Sequence, residues 1–165
     1  MNSTIFLVGF MGSGKSTVGK RLAELMERPF VDLDDDIEVA AGQPIASIFA
    51  KDGEAAFRDA EHAALLARVQ RGEDIVLALG GGAFTYARNR DLLEGAGTSV
   101  WLDCPFETAH RRVKGFAHRP LAKDPVRFRL LFDRRVADYA WANVRIPVVS
   151  DDPEVTAKAI VEALR

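Results

Sequence analysis

The sequence predicts an α/β domain built on a five-stranded parallel sheet with helices on both faces. Apolar runs of strand composition alternate along the chain with segments of helical spacing, which is the pattern of parallel strands and their crossover helices. Residues 75–79 form the most apolar run and lack polar alternation, as expected of a strand buried on both faces. No repeat or linker divides the 165 residues, so residues 1–165 are expected to form a single domain.

Three strands are predicted in the first half of the chain. Residues 5–8 form the first strand, and the helix after it has an apolar face formed by Val18, Leu22, Leu25 and Met26. A second strand at residues 29–32 precedes three predicted helices, which cover residues 34–41, 45–50 and 54–69. Gly42 and Gly72 are expected to end the first and last of these helices. Residues 75–79 then form the third strand.

Two further strands are predicted in the second half. Residues 99–103 form the fourth strand, and Pro105 opens a helix that reaches about residue 114. The next helix continues to about residue 139 and is marked by the apolar residues Val126, Leu130 and Leu131. The last strand covers residues 144–149 and contains Pro147. Because proline has no N–H group to donate, we place this strand at an edge of the sheet. A helix is expected to complete the chain.

Residues 9–17 read GFMGSGKST and fill every fixed position of the pattern G-x-x-x-x-G-K-[ST]. The motif lies between a predicted strand and a predicted helix, which is the context it requires. Its glycines allow backbone N–H groups to surround an anion, and the helix dipole adds positive potential. We therefore expect nucleotide phosphates to bind at Gly12, Ser13, Gly14, Lys15, Ser16 and Thr17. With the predicted sheet, this loop indicates a three-layer P-loop kinase fold.

Composition excludes a general attraction to polyanions. The 22 Lys and Arg residues are balanced by 24 Asp and Glu residues, so the net charge is −2. The single cysteine, Cys104, cannot form an internal disulfide. No apolar stretch approaches the ~20 residues that cross a bilayer, and the phosphate loop begins too early for a cleavable signal to precede it. We expect a cytoplasmic monomer that binds neither nucleic acid nor membrane.

Asp32 and Asp34 are the first candidates for metal and acid–base chemistry. Alternate residues of an extended chain point the same way, so both would project from the carboxyl end of the second strand, where ligands of parallel sheets bind. One would serve a metal, and the other would orient or deprotonate an acceptor hydroxyl. Alternatively, Asp34, Asp35 and Asp36 suit the first turn of a helix. Asp103 also ends an apolar strand, and the local pattern leaves the choice of metal aspartate open.

A run of three glycines follows the third strand at Gly80, Gly81 and Gly82. Bare backbone there would let a ligand approach closely, and a tight turn is the alternative. Arg58 is a second candidate binding group. Its position three residues before Glu61 also suits a surface ion pair worth only ~0.3 kcal/mol.

The basic segment at about residues 114–124 is irregular and contains Arg119. A mobile loop that carries an arginine between two helices suits a lid that closes over phosphates, and an ordinary surface loop is the alternative. Arg134 and Arg135 lie on the helix that follows. Because they are adjacent, at most one of them is expected to face a cleft.

Together these features resemble the shikimate kinase family over nearly the whole chain. The resemblance includes the phosphate loop and five further features, which are Asp32-x-Asp34, Phe57-Arg58, the glycines at 80–82, Arg119-Pro120-Leu121, and Arg135 four residues before Tyr139. Members of this family phosphorylate the 3-hydroxyl of shikimate with MgATP in aromatic amino-acid biosynthesis. The resemblance implies ATP and shikimate as substrates, one Mg²⁺ ion as cofactor, and a substrate-binding region at about residues 32–61.

For the acceptor, the resemblance implies that Asp34 binds the reacting hydroxyl and acts as its base or assists it. Arg58 and Arg135 would grip the carboxylate, since guanidinium groups recognise carboxylates through planar, charge-assisted hydrogen bonds. The substrate hydroxyls would meet the backbone of Gly80, Gly81 and Gly82. Ala137 departs from the family pattern, which usually has proline there, and this difference could shift the helix that carries Arg135.

For the nucleotide, the resemblance implies that Lys15 and Arg119 neutralise charge on the transferred phosphoryl group. Arg112 matches the arginine that packs near adenine. Ser16 would coordinate Mg²⁺, and Asp32 would hold the ion through water. The resemblance thus favours Asp32 over the aspartate that ends the fourth strand.

Overall fold

The computed structural model describes residues 3–114 and 124–165, which contain one five-stranded sheet. Its strands are β1 (Thr4–Val8), β2 (Phe30–Asp32), β3 (Val76–Ala78), β4 (Gly97–Asp103) and β5 (Val144–Pro147). Their order is β2-β3-β1-β4-β5, and every neighbouring pair is parallel. The predicted α/β class, the five strands and the edge position of β5 are confirmed.

The helices of the described residues are α1 (Lys15–Leu25), α2 (Leu33–Ala41), α3 (Ile45–Arg71), α4 (Ala87–Leu93), α5 (Phe106–Val113), α6 (Pro125–Tyr139) and α7 (Pro153–Ala163). α3 joins the two helices predicted over residues 45–50 and 54–69. The predicted break lies at Gly53, where φ is 86° and ψ is 177°. A 3-10 turn, Ala83–Thr85, precedes α4. The 3-10 turn and α4 were not predicted, because residues 83–93 have no clear hydrophobic period.

Helix ends follow the capping rules that the sequence suggested. Gly42 and Gly72 close α2 and α3 in the left-handed conformation, with φ of 66° and 61°. At the start of α7, the side chain of Asp152 accepts a hydrogen bond from the backbone N–H of Glu154 at 3.0 Å. Local capping chemistry therefore fixes where these helices begin and end.

The core is built on the central strands, whose residues are buried along their full length in β1 and β3. The apolar face of α1 packs there through Val18 and Leu22. α6 covers the helix predicted from Val126, Leu130 and Leu131, although Val126 is 70% exposed and Leu130 is 59% exposed. Phe128 and Tyr139 are its buried residues. These two aromatic residues therefore anchor α6, and Leu131 packs against the core while partly buried.

The predicted lid at about residues 114–124, with Arg119, lies almost wholly within residues 115–123, outside the described residues. Its role stays a prediction. Within residues 3–114 and 124–165, none of the helices combines the length and the apolar character that crossing a membrane requires.

The topology brings three distant motifs to one edge of the sheet. β2, β3 and β1 are adjacent and parallel, so their carboxyl ends lie side by side. β1 runs into the phosphate loop, β2 into the first turn of α2, and β3 into the glycine run. Residues from positions 9–17, 32–34 and 80–82 therefore surround one region.

Gly97→Ala is expected to destabilise the fold without reaching this region. Gly97 pairs with Thr4 at the opposite end of the strands, and a Cβ there would lie 2.1 Å from the Thr4 carbonyl oxygen. We expect the free energy of unfolding to fall by about 2 kcal/mol, as in other overpacked sites. Urea unfolding measures it. Thr98→Ala in the same strand is the control, with a loss below about 1 kcal/mol, and equal losses would contradict the packing.

Candidate active site

A cavity of about 850 Å³ lies at the carboxyl ends of the central strands. It is lined by every predicted site residue within the described ranges, namely Gly12, Ser13, Gly14, Lys15, Ser16, Thr17, Asp32, Asp34, Arg58, Gly80, Gly81, Gly82, Arg112 and Arg135. These residues come from separate strands, helices and loops. Arg119 lies outside the described residues, so its place relative to the cavity stays a prediction.

The phosphate loop has the backbone that its glycines permit. Gly12 and Gly14 have φ of 81° and 97°, in the region that favours glycine. Lys15 donates from Nζ to the carbonyl oxygens of Gly9 at 2.6 Å and Phe10 at 3.1 Å. No side chain caps the start of α1. Its first-turn N–H groups therefore suit an anion in the cavity.

Asp32 and Asp34 both line the cavity, but they do not share an extended chain as predicted. β2 ends at Asp32, and α2 begins at Leu33, so Asp34 extends from the first turn of a helix. Asp32 is the N-cap, because its Oδ1 accepts a hydrogen bond from the N–H of Asp34 at 3.0 Å. Asp34 thus lies in the first turn of a helix, as the alternative interpretation had it, and also lines the cavity, as a functional role requires.

The two candidate metal aspartates have different surroundings. Ser16 donates from Oγ to Oδ2 of Asp32 at 3.4 Å, and both residues line the cavity. Asp103 instead pairs with Arg145, whose Nε lies 2.7 Å from Oδ2. A hydroxyl and a carboxylate fit Mg²⁺, which commonly takes one or two protein ligands together with phosphate and water. The described residues contain no group of three or more His, Cys, Asp or Glu arranged so that it could hold a metal ion.

Asp34 has the most perturbed carboxyl group of the cavity. Burial and the negative charges of Asp32 and Glu61 together raise its pKa to about 6, while Lys15 opposes the shift. A carboxyl with a pKa near neutrality can both accept and release a proton under ordinary conditions. The site therefore suits Asp34 as a general base.

Arg58 and Glu61 form a buried ion pair rather than the surface pair considered from the sequence. Arg58 Nη1 lies 2.8 Å from Glu61 Oε1, and Glu61 is only 1% exposed. Burial raises the pKa of Glu61. The sequence held a signal for this position, because Phe57, Glu61 and Leu65 are spaced four apart along the buried face of α3. Glu61 orients one face of the Arg58 guanidinium.

Charged side chains of the protein itself approach the glycine run closely. A Cβ at Gly82 would lie 2.6 Å from Arg58 Nη2, and one at Gly81 would lie 3.2 Å from Arg135 Nη1. A Cβ at Gly80 would lie 3.2 Å from Glu61 Oε2. None of the three has a positive φ. Close approach by charged side chains, rather than an unusual backbone conformation, therefore explains the glycines.

α6 presents Arg135 to the cavity, while Arg134 is exposed. The Arg135 guanidinium lies over the ring of Phe10 at 5.9 Å from its centroid. Ala137 is within the regular part of α6, so the absence of proline leaves Arg135 facing the cavity. Tyr139 also belongs to this group, because its hydroxyl donates to the carbonyl oxygen of Gly81. In the sequence, Tyr139 was noted only for its position four residues after Arg135.

Arg112 lies at the other end of the cavity, beside the phosphate loop. Its Nη1 donates to the carbonyl oxygen of Gly12 at 3.0 Å, and its Nη2 lies 2.9 Å from Oδ1 of Asp151. Arg111 donates to the same oxygen at 2.9 Å. Asp151 was not predicted, and it ties Arg112 to the segment between β5 and α7. That segment lines this end of the cavity.

Comparison with known proteins decides the family. A family model for shikimate kinase matches residues 11–165. The chain is 43% identical over 164 residues to a shikimate kinase of Paramagnetospirillum magneticum, covering 98% of this chain and 84% of the relative. A solved shikimate kinase of Acinetobacter baumannii in complex with shikimate superposes with a TM-score of 0.90 at 37% identity, covering 98% of this chain and 92% of that chain.

The chain belongs to the shikimate kinase family. A shikimate kinase of Caulobacter vibrioides is similarly close, at 45% identity over 165 residues, with 98% of this chain and 82% of the relative covered. The family resemblance seen in the motifs is thus confirmed over nearly the full length. Glu61, Asp151 and the buried role of Tyr139 add to what the family motifs indicate.

Asp34→Asn in this family member should stabilise the fold at pH 8 by about 2 kcal/mol, after a discount for partial solvent contact. The native carboxyl has a pKa of about 6 against 3.8 in the unfolded chain, so the unmodified protein loses stability as pH rises through this window. The asparagine variant has no carboxyl group to ionise there, so it does not lose this stability. Urea unfolding between pH 4 and pH 8 measures the difference, which should vanish near pH 4.

Asp35→Asn is the matched control, because Asp35 lies on the exposed side of the same turn. It should change the unfolding free energy little across the same pH range. A difference for Asp34→Asn that does not vary with pH would contradict a raised pKa at this carboxyl.

Proposed function

We propose that this chain transfers the γ-phosphoryl group of ATP to the 3-hydroxyl of shikimate, giving shikimate 3-phosphate in aromatic amino-acid biosynthesis. Family membership supports the reaction. The observation that carries it for these residues is the convergence of Arg58, Arg135 and Asp34 on the glycine run, in the cavity that also contains the phosphate loop. A carboxylate-bearing, hydroxylated acceptor fits two arginines and one base.

The nucleotide end of the cavity uses the phosphate loop. The backbone N–H groups of Gly12, Ser13, Gly14, Lys15, Ser16 and Thr17 hold the phosphates, together with the side chain of Lys15. Arg112 supports the adenine end from its position between Gly12 and Asp151. Arg119 belongs to this set as a prediction from the sequence.

One Mg²⁺ ion is proposed at Ser16 and Asp32, whose Oγ and Oδ2 atoms lie 3.4 Å apart. When bound, this ion neutralises phosphate charge and orients the phosphates for transfer. Asp32 is well placed to hold it, because its other carboxylate oxygen is engaged by the N–H of Asp34. The Asp32 side chain is thereby fixed in orientation.

The acceptor end uses Arg58 and Arg135 for the carboxylate and the backbone at residues 80–82 for the hydroxyls. Asp34 takes the proton of the shikimate 3-hydroxyl while the hydroxyl oxygen attacks the γ-phosphorus of ATP. ADP leaves from the opposite side of that phosphorus. Lys15 and Arg119 neutralise the charge on the transferred group. The protein forms no covalent bond, so its contribution is positioning and electrostatic stabilisation.

The decisive test is a coupled assay of ADP release with Mg²⁺ and a panel of acceptors. Shikimate should drive ADP release, while gluconate and a nucleoside monophosphate should give below about a hundredth of its kcat/KM, because they mismatch the paired arginines. Folded protein that releases no ADP with shikimate would overturn the proposal. A better rate with another acceptor would replace shikimate by that acceptor.

Asp34→Asn separates binding from chemistry in the same assay. Nucleotide affinity, measured by titration calorimetry without acceptor, should stay within about twofold, because Asp34 is assigned no contact with the nucleotide. The rate constant kcat should fall by about 10²–10⁴, the range for loss of a general base. Retained turnover would remove Asp34 from this role. Monomeric state and cytoplasmic location stay predictions from the sequence.

A further inference from the structure

Tyr139 connects the two parts of the proposed acceptor site, although it does not line the cavity. It is the last residue of α6, and its side chain is 1% exposed. Its hydroxyl donates to the carbonyl oxygen of Gly81, the central residue of the glycine run. A buried tyrosine whose hydroxyl donates a hydrogen bond to a distant backbone carbonyl holds that peptide in place.

The three glycine carbonyls differ in how they are held. The N–H of Ala83 donates to the Gly80 oxygen at 3.1 Å, and Thr85 donates from Oγ1 to the Gly82 oxygen at 2.6 Å. Both bonds are local and come from the 3-10 turn. The bond to Gly81 comes from Tyr139, 58 residues away in sequence. The central peptide is therefore positioned by α6 rather than by its own loop.

Arg135 lies one turn before Tyr139 on the same helix and beside the same hydroxyl. Burial raises the pKa of Tyr139, and the neighbouring Arg135 charge opposes that shift. A Cβ at Gly81 would lie 3.2 Å from Arg135 Nη1. The guanidinium, the phenol and the Gly81 peptide therefore form one compact group.

We propose that Tyr139 is a positioning residue for acceptor recognition, whose hydroxyl holds the Gly81 peptide and Arg135 in a fixed relative geometry. This inference rests on the proposed function. A single acceptor must meet the arginine through its carboxylate and the glycine backbone through its hydroxyls. A group that links these two contacts sets the distance between them, so it determines acceptor affinity without touching the acceptor.

Tyr139→Phe tests the inference by removing one oxygen atom. The ring keeps its packing against Trp101, 6.1 Å away between centroids. The Gly81 carbonyl loses its buried donor, so its peptide is free to turn. We expect the KM for shikimate to rise about tenfold, with kcat and the KM for ATP within about twofold, because the phosphate loop and Asp34 are untouched. Initial rates at varied shikimate and varied ATP measure these values.

Tyr86→Phe is the matched control, since it removes a hydroxyl from the chain's other tyrosine but keeps the ring that lies 5.2 Å from the Arg58 guanidinium. Its kinetic constants should not change. A second measurement is amide hydrogen exchange of the peptide that contains residues 80–82, which should speed up in Tyr139→Phe and stay unchanged in Tyr86→Phe.

The outcomes separate the inference from the proposed function. If the unmodified protein does not phosphorylate shikimate, the proposed function fails, whatever the variant does. Unchanged hydrogen exchange at residues 80–82 in Tyr139→Phe would separately overturn the link from Tyr139 to Gly81. If the unmodified protein is active and Tyr139→Phe leaves the shikimate KM unchanged, Tyr139 has no positioning role. A variant that fails to fold, or that lowers kcat and raises both KM values together, would show a general structural role and overturn the inference.

Discussion

The absence of side chains at residues 80–82 is the constraint on which the acceptor end of the site depends. Charged groups from α2, α3 and α6 converge there, and each glycine makes room for at least one of them. A single Cβ at Gly82 would displace the Arg58 guanidinium. The strand that precedes the run is buried and central, so the glycines cannot move away to restore the space. The fold thus places a rigid backbone segment without side chains, residues 80–82, at the acceptor end of the cavity.

Glu61 acts on two of the charged groups in this small region. Glu61 engages Arg58 from the buried side, which orients the guanidinium toward the cavity. Burial, the charge of Asp32 and the charge of the same Glu61 raise the pKa of Asp34 to about 6. One buried carboxylate therefore supports both the binding arginine and the proposed base. Removing Glu61 would be expected to affect both groups, since the effects are not independent.

The sequence predicts the fold and the cavity residues because their signals are local. The phosphate loop, the strand runs and the helix-ending glycines each depend on residues adjacent in sequence. The burial of the Arg58–Glu61 ion pair was not predicted, because an i,i+3 pair has the same sequence spacing whether it is exposed or buried. Only the packing of α3 determines which of the two it is. The hydrogen bond of Tyr139 was not predicted, because its partner, Gly81, is 58 residues away. Asp34 was expected to project as on an extended chain, because the alternation of β2 does not show that the helix starts at Leu33. Residues 83–93 lack periodicity, so α4 was not predicted.

Gly82→Ala tests most directly whether bare backbone sets the acceptor site. The added Cβ would lie 2.6 Å from Arg58 Nη2, the flexible end of a side chain, so the arginine moves while the fold survives. We predict a shikimate KM at least tenfold higher, an unchanged KM for ATP, and an unfolding free energy within about 1 kcal/mol of the unmodified protein. Gly95→Ala, at a glycine with φ of 76° and open space around it, is the control and should lower stability alone. An unchanged shikimate KM in Gly82→Ala would contradict the account.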